Sequence, residues 1–259
     1  MLLEVRNITF RYGNRNVLEN VSVDIASGEG LCLLGPNGVG KTTLFKSILG
    51  FLNVYSGGVY IDGEPINRWS NKQIAHAIAY VPQAHTPPFA FSVLDVVIMG
   101  RNAHLNTFST PSKKDRHLAI EALEMLDVGF LRKRLYTEIS GGERQMVLIA
   151  RAIAQKPAFI VMDEPTANLD FGNQVRVLKQ INQLRQSGLG IVISTHDPDH
   201  AFAFATKVAL LTNEHGLLIG APDNIITEEN MRNAYGVEVV VMSQHKESYG
   251  EVKICAPVV

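Results

Sequence analysis

The chain has 259 residues, with 24 Lys and Arg against 25 Asp and Glu and a formal net charge of −1, so no broad basic surface for nucleic acid is implied. Hydrophobic residues make up 46% and charged residues 19%, which suits a large α/β domain, and no run approaches the ~18 consecutive apolar residues of a spanning helix. Only Cys32 and Cys255 are cysteines, which argues against a disulfide framework. The opening MLLEVRNITF lacks the apolar stretch of a secretory signal, so a reducing cytoplasm is the expected setting.

Residues 2–10 alternate, with Leu3, Val5 and Ile8 apolar, and predict a half-buried strand. A turn at 11–14 leads to a second alternating strand over 17–25, and an antiparallel hairpin is the simplest pairing. Tyr12 at the turn reads either as an exposed aromatic without a role or as a flat ring able to stack on a base. Residues 31–34 form a short apolar strand in which Cys32 reads as a small core residue. Gly35-Pro36-Asn37-Gly38-Val39-Gly40-Lys41-Thr42 then fits G-x-x-x-x-G-K-[ST] without a gap. Leu44, Phe45, Ile48 and Leu49 follow at helical spacing up to Gly50, which gives the strand–loop–helix context the motif needs. The glycines let backbone N–H groups turn toward phosphate oxygens, and the helix start adds partial positive charge. Lys41 can reach the β- and γ-phosphates, Thr42 can offer its hydroxyl to Mg²⁺, and Thr43 is a further hydroxyl on that turn.

Ser56-Gly57-Gly58 reads as a break, 59–61 as a short strand and Asp62-Gly63 as a turn. Residues 70–77 are weakly helical, and 78–81 are an apolar strand stopped by Pro82. Gln83 follows, by position an ordinary loop residue. Residues 84–91 read as loop. Ser92 to Asp95 has the form of a capping box for a helix ending at Gly100, and 101–111 reads as irregular. Ser112 caps another helix with Leu118, Ala122, Leu123 and Leu126 on one face. Ser140, Gly141 and Gly142 open a long helix. They are either an ordinary N-cap with flexible glycines or a second anion-binding site.

Residues 159–162 are a fully apolar strand that delivers Asp163 and Glu164 at its C-terminal end, where open α/β sheets bind ligands. One carboxylate suits Mg²⁺, and the other suits orienting or deprotonating a water. Asp170 caps the amphipathic helix that follows. Residues 190–194 form another buried strand that delivers His196 where it could contact a γ-phosphate. His196, Asp197, Asp199 and His200 are all ligand types, but Asp197 also reads as a helix cap. Strands at 207–212 and 215–219, a helix from Thr227 to Gly236 and two short strands near 237–242 and 252–254 finish the chain. The predicted class is α/β. A P-loop NTPase core (1–91 and 156–220) carries an N-terminal antiparallel β subdomain and an inserted α-helical subdomain (92–155), and 221–259 is a short C-terminal extension.

In this order the motifs resemble the ATP-binding-cassette (ABC) transporter ATPases over nearly the whole chain. Residues 35–42 are similar to the family's phosphate loop, ISGGERQ at 139–145 to its LSGGQ signature, and 159–164 to its Mg²⁺-site strand and catalytic glutamate. The resemblance makes Glu164 the catalytic carboxylate, His196 the switch histidine, and Gln83 the glutamine that couples the site to the membrane partner. It places Thr42, Gln83 and Asp163 around Mg²⁺ and Tyr12 on the adenine. Residues 167–170 look like the loop that crosses the dimer interface.

The resemblance further implies ATP as substrate and a head-to-tail homodimer, with Ser140, Gly141 and Gly142 completing the partner's site. Glu143 departs from the usual glutamine and Ile139 from leucine; the added charge puts nucleotide affinity in question. SVLDVVIMGR and IITEENMRNAYGVEVVV are similar to importers of metal chelates, with a branch associated with molybdate or tungstate. The expectation is an importer ATPase on the cytoplasmic face of the membrane, docked through residues 83–108 on two permease subunits, with a binding protein outside. The cargo classes are iron–siderophore, haem, cobalamin, molybdate or tungstate. An exporter ATPase, a soluble nucleic-acid or ribosome-associated ATPase and a simple phosphate-loop kinase are the alternatives.

Overall fold

The computed structural model describes residues 1–83, 90–106, 109–212, 216–246 and 250–258. Strands β1 (Leu2–Tyr12) and β2 (Arg15–Ala26) form the expected antiparallel hairpin, with Leu3 opposite Ile25 and Val5 opposite Val23. Strand β3 (Gly30–Leu34) leads through the glycine loop into helix α1 (Lys41–Ile48). Strand β4 (Ser56–Ile61) pairs antiparallel with β1, so Ser56-Gly57-Gly58 is not a break but the first half of a strand. Gly57 has φ 78°, and a side chain there would collide with the backbone of Arg6 and Asn7; the glycine permits close approach rather than stopping the strand.

After β5 (Glu64–Pro65) a short 3₁₀ turn precedes α2 (Asn71–Ala77). Ser70 and Gln73 cap α2 reciprocally, which explains why a weakly helical segment forms here. Strand β6 (Ile78–Val81) follows. Helix α3 (Val93–Ile98) begins at Ser92, whose hydroxyl accepts from the Asp95 N–H. It does not end at Gly100. The chain tightens into a 3₁₀ helix over Met99–His104, which takes up the start of the stretch expected to be irregular. Gly100 packs on the Arg151 carbonyl, where no Cβ fits.

Then come α4 (Lys113–Met125), with Ser112 and Asp115 as its capping box, and α5 (Gly141–Ala154). Strand β7 (Phe159–Asp163), α6 (Phe171–Gln186), β8 (Gly190–Thr195), α7 (Pro198–Phe204) and β9 (Lys207–Leu211) alternate as predicted. Strand β10 (Leu217–Gly220) is one residue past Gly216; the expected start at His215 lies outside the described residues. A short α8 (Pro222–Ile225) was not legible in the sequence. Helix α9 (Glu228–Tyr235) ends at left-handed Gly236, and β11 (Val239–Lys246) pairs with β12 (Gly250–Pro257) in a final hairpin.

A four-stranded antiparallel sheet has the order β2-β1-β4-β5. The central sheet has the order β10-β9-β3-β8-β7-β6, parallel from β9 to β6, with β10 antiparallel at its edge. Alternation along the central strands serves two cores. Leu31, Leu33, Phe159, Val161 and Val192 meet α1 and the antiparallel sheet through Leu44, Phe45, Val5 and Val23. Cys32, Leu34, Ile160, Met162, Ile191 and Ile193 meet Val147, Ile181, Ala201 and Phe204 on the other face. Sheet residues buried on both faces explain the unbroken apolar runs read at β3, β7 and β8.

Helices α3, α4 and α5 pack together, and one buried ion pair fixes their junction. Arg101 donates to Asp115 Oδ1 (3.0 Å) and to the Ala154 carbonyl (2.7 Å). Hydrogen bonds from Ser112, then the Arg101 guanidinium, hold the Asp115 carboxyl down at about 2. Replacing Arg101 by Met strands a buried carboxylate, and loss of one partner of such a pair typically costs about 3–5 kcal/mol. Because the folded-state value is depressed, the pair's contribution is full above the ordinary 3.8 and is lost as pH falls through about 2. Denaturant unfolding of wild type and Arg101→Met should therefore show a large gap at neutral pH that narrows below pH 3.8.

Candidate active site

The site forms because β3, β8 and β7 are parallel neighbours. Leu34 pairs with Thr195, and Asp163 pairs with Ser194, so the glycine loop, the two carboxylates and His196 leave the sheet at one edge. In the loop Gly35, Gly38 and Gly40 have φ 148°, 83° and 114°, values that side chains rarely adopt. A Cβ on Gly35 would stand 2.5 Å from the Leu211 carbonyl oxygen. Gly40 is the N-cap of α1 and supplies no capping side chain, so the first N–H groups of α1 have no side-chain acceptor at the cap. Lys41 is buried, and its ammonium donates to the carbonyls of Gly35 (2.6 Å) and Pro36 (3.0 Å). Burial lowers the Lys41 pKa, while Glu164 and Asp163 nearby oppose the shift.

A cleft of about 380 Å³ opens on the loop, lined among others by Tyr12, Arg15, Asn37, Lys41, Thr42, Thr43 and Glu164. The Tyr12 ring packs edge-on against Phe10, with centroids 4.9 Å apart. Arg15 was missed in the sequence, where only its place beyond the first turn set it apart.

Ser194 ties the two carboxylate positions together. Its hydroxyl donates to Asp163 Oδ1 (2.5 Å) and accepts from the Glu164 N–H (3.0 Å). The only signal for it was a hydroxyl within the apolar run of β8. Glu164 has φ 44°, a strained conformation for a non-glycine residue, and its Oε1 lies 3.4 Å from His196 Nδ1. The Tyr235 hydroxyl donates to the His196 carbonyl (3.2 Å), a contact from α9 that no local pattern announced.

Gln83 lies exposed two residues beyond β6, the neighbour of β7. The hydroxyl of Thr42, the carboxylate of Asp163 and the amide oxygen of Gln83 are hard oxygen donors, and that donor chemistry fits Mg²⁺. The set His196, Asp197, Asp199 and His200 is put to other uses. Asp197 accepts from the Asp199 N–H (2.9 Å) as the cap of α7, Asp199 accepts from the Cys255 N–H (2.7 Å), and His200 is buried against Thr166 and Thr195. Among the described residues no group of three or more His, Cys, Asp or Glu is arranged to hold a metal ion.

Ser140, Gly141 and Gly142 do not line the cleft. They open α5, where Glu143 accepts from the Ser140 N–H and hydroxyl (both 2.8 Å), and these bonds lower its pKa. The Glu143 carboxylate thus completes a capping box. Gly142 lies so close to Asn173 of α6 that a Cβ would overlap it.

Residues 18–167 match the family model described as ABC transporter. The chain belongs to the ABC transporter ATPase family. This ABC ATPase is 38% identical over 250 residues to the molybdate import ATP-binding protein MolC of Haemophilus influenzae, covering 95% of this chain and 93% of that one. It is 35% identical over 248 residues to the hemin import ATP-binding protein HmuV of Gloeobacter violaceus, covering 93% and 90%. A solved structure described as an inward-facing conformation of a putative metal-chelate type ABC transporter superposes with a TM-score of 0.88 at 34% identity, covering 99% of this chain and 97% of that one. As a member of this family the protein binds and hydrolyses ATP. Among the described residues no helix is long and apolar enough to cross a membrane. Ser194→Ala should lower kcat for ATP about tenfold with nucleotide affinity unchanged, because it frees both carboxylate-bearing positions at once; phosphate-release kinetics beside a fluorescent-nucleotide titration check this.

Proposed function

We propose that this ABC ATPase powers import of a metal chelate or metal oxyanion through a membrane permease. The observation that carries this reading is the match to importer ATPases named for molybdate and hemin over more than nine-tenths of the chain. The cargo classes are molybdate, tungstate, haem, iron–siderophore and cobalamin. The chain acts as a homodimer on two permease subunits at the cytoplasmic face, with a substrate-binding protein outside. The position of the α5 start supports the dimer: Ser140, Gly141 and Gly142 stand away from their own chain's cleft and serve the partner's nucleotide. Of the permease-facing stretch 83–108, residues 84–89 and 107–108 lie outside the described residues.

Within one domain, 1–91 and 156–220 act as the ATP-binding core, 92–155 as the helical signature part and 221–259 as an extension. Tyr12 stacks on the adenine, residues 35–43 hold the phosphates, and Lys41 turns from the loop carbonyls to the phosphate oxygens. Thr42, Asp163 and Gln83 hold Mg²⁺, which when bound neutralises phosphate charge. Glu164 orients and deprotonates the attacking water, and His196 contacts the γ-phosphate and holds the Glu164 carboxylate in place.

Glu164→Gln should bind ATP with wild-type affinity and lose nearly all turnover; wild-type hydrolysis in that variant would remove Glu164 from its role. The transport reading is checked with the native membrane complex, isolated through this chain and reconstituted. Its ATPase rate should rise several-fold with one binding protein loaded with molybdate, tungstate, haem, iron chelate or cobalamin. Sound basal hydrolysis that no loaded binding protein stimulates would turn the reading toward export.

A further inference from the structure

His200 lies on α7, four residues past His196, and is 9% exposed. Two hydroxyls from different segments converge on its Nδ1. Thr195 Oγ1 is 3.0 Å away, on the residue before His196, and Thr166 Oγ1 is 3.3 Å away, two residues past Glu164. On the other side of the ring, Nε2 lies 3.3 Å from Asp197 Oδ2. A carboxylate only accepts, so Nε2 carries the proton and Nδ1 accepts from the hydroxyls. The Asp197 N–H donates in turn to Thr195 Oγ1 (3.1 Å). Residues 195–197 are thus closed into a ring by His200, and His196 sits in the middle of that ring. The same imidazole grips the segment that leaves Glu164.

We propose that His200 is a positioning residue for ATP hydrolysis: it ties the Glu164 segment to the His196 segment and so sets the 3.4 Å approach of their side chains. This role rests on Glu164 and His196 being the hydrolytic pair proposed above. Burial supports it, because it disfavours the charged imidazole and lowers the His200 pKa, which keeps Nδ1 free to accept. A residue that merely filled space could be replaced by any apolar side chain of similar size. A clasp needs an acceptor at the Nδ1 position.

The test uses the full-length chain in steady-state ATPase assays, with wild type and Glu164→Gln as references. His200→Leu fills much of the volume without an acceptor. His200→Asn puts an amide oxygen two bonds from Cβ, where Nδ1 stands. Thr166→Val removes one hydroxyl and keeps the shape. We expect His200→Leu to lower kcat about tenfold with KM for ATP within about twofold, the signature of an interaction expressed in the transition state. His200→Asn should recover to within about threefold of wild type, and Thr166→Val should lower kcat several-fold with unchanged ATP affinity. Should His200→Leu fail to fold, the Thr166→Val result decides. Wild-type kcat in His200→Leu overturns the proposal, as does an Asn variant no better than a folded Leu variant, or a neutral Thr166→Val. If Glu164→Gln also hydrolyses at the wild-type rate, the hydrolytic pair itself is wrong; if it is inactive while His200→Leu is unaffected, the clasp alone falls.

Discussion

Everything at the nucleotide site depends on one backbone constraint. Between β3 and α1 the chain must turn within six residues while packing against Leu211 on one side and Val17 and Leu18 on the other. Only glycine fits at positions 35 and 40, both for space and for their φ angles. The helix therefore starts without a capping side chain, in contrast to α2, α4, α5 and α6, which all start on Ser or Asp caps. An uncapped start leaves the first N–H groups of a two-turn helix free to meet an anion. The constraint also turns Lys41 inward, since a helix beginning at that residue lays its side chain back over the loop.

Around this loop the parallel sheet acts as an aligning device. Neighbouring strands end in register, which brings together residues about 130 and 160 positions apart in sequence. The finer distances are then set by small polar groups. Ser194 couples Asp163 to the backbone of Glu164, and the Tyr235 hydroxyl holds the His196 carbonyl from the C-terminal extension. Ile225, Ile226, Met231 and Ala234 join the core on the helical face of the sheet, and this part of the chain reaches the His196 and α7 segment at two points, Tyr235 and Cys255.

The glycine loop between β3 and α1, the central strands and most of the caps were legible in the sequence because each is a local pattern: a glycine spacing, an apolar run, a Ser three residues before an acceptor. The errors came where a glycine serves a neighbour distant in sequence. Gly57 and Gly100 read as stops, and both instead let another backbone come close. Thr166 and Tyr235 carried no local signal, and Ser194 and Arg15 only a faint one, since their meaning lies in strand register and in contacts made from other elements. Gln83 gained a reading only through the family resemblance, and for Tyr12 position left two readings open, between which the resemblance chose.

The division of the central sheet between two cores has a consequence for sequence change. In β3, Leu31 and Leu33 report to the core beneath the antiparallel sheet, while Cys32 and Leu34 report to the core beneath the helices. Volume changes at alternating positions of one five-residue strand therefore fall on separate sets of neighbours. Pairs within a face, such as Leu31 with Leu33, share one cluster of neighbours and are expected to couple through it, whereas Leu33 and Cys32 pack into different clusters. The strand's backbone is thus the partition between two cores whose side chains face apart.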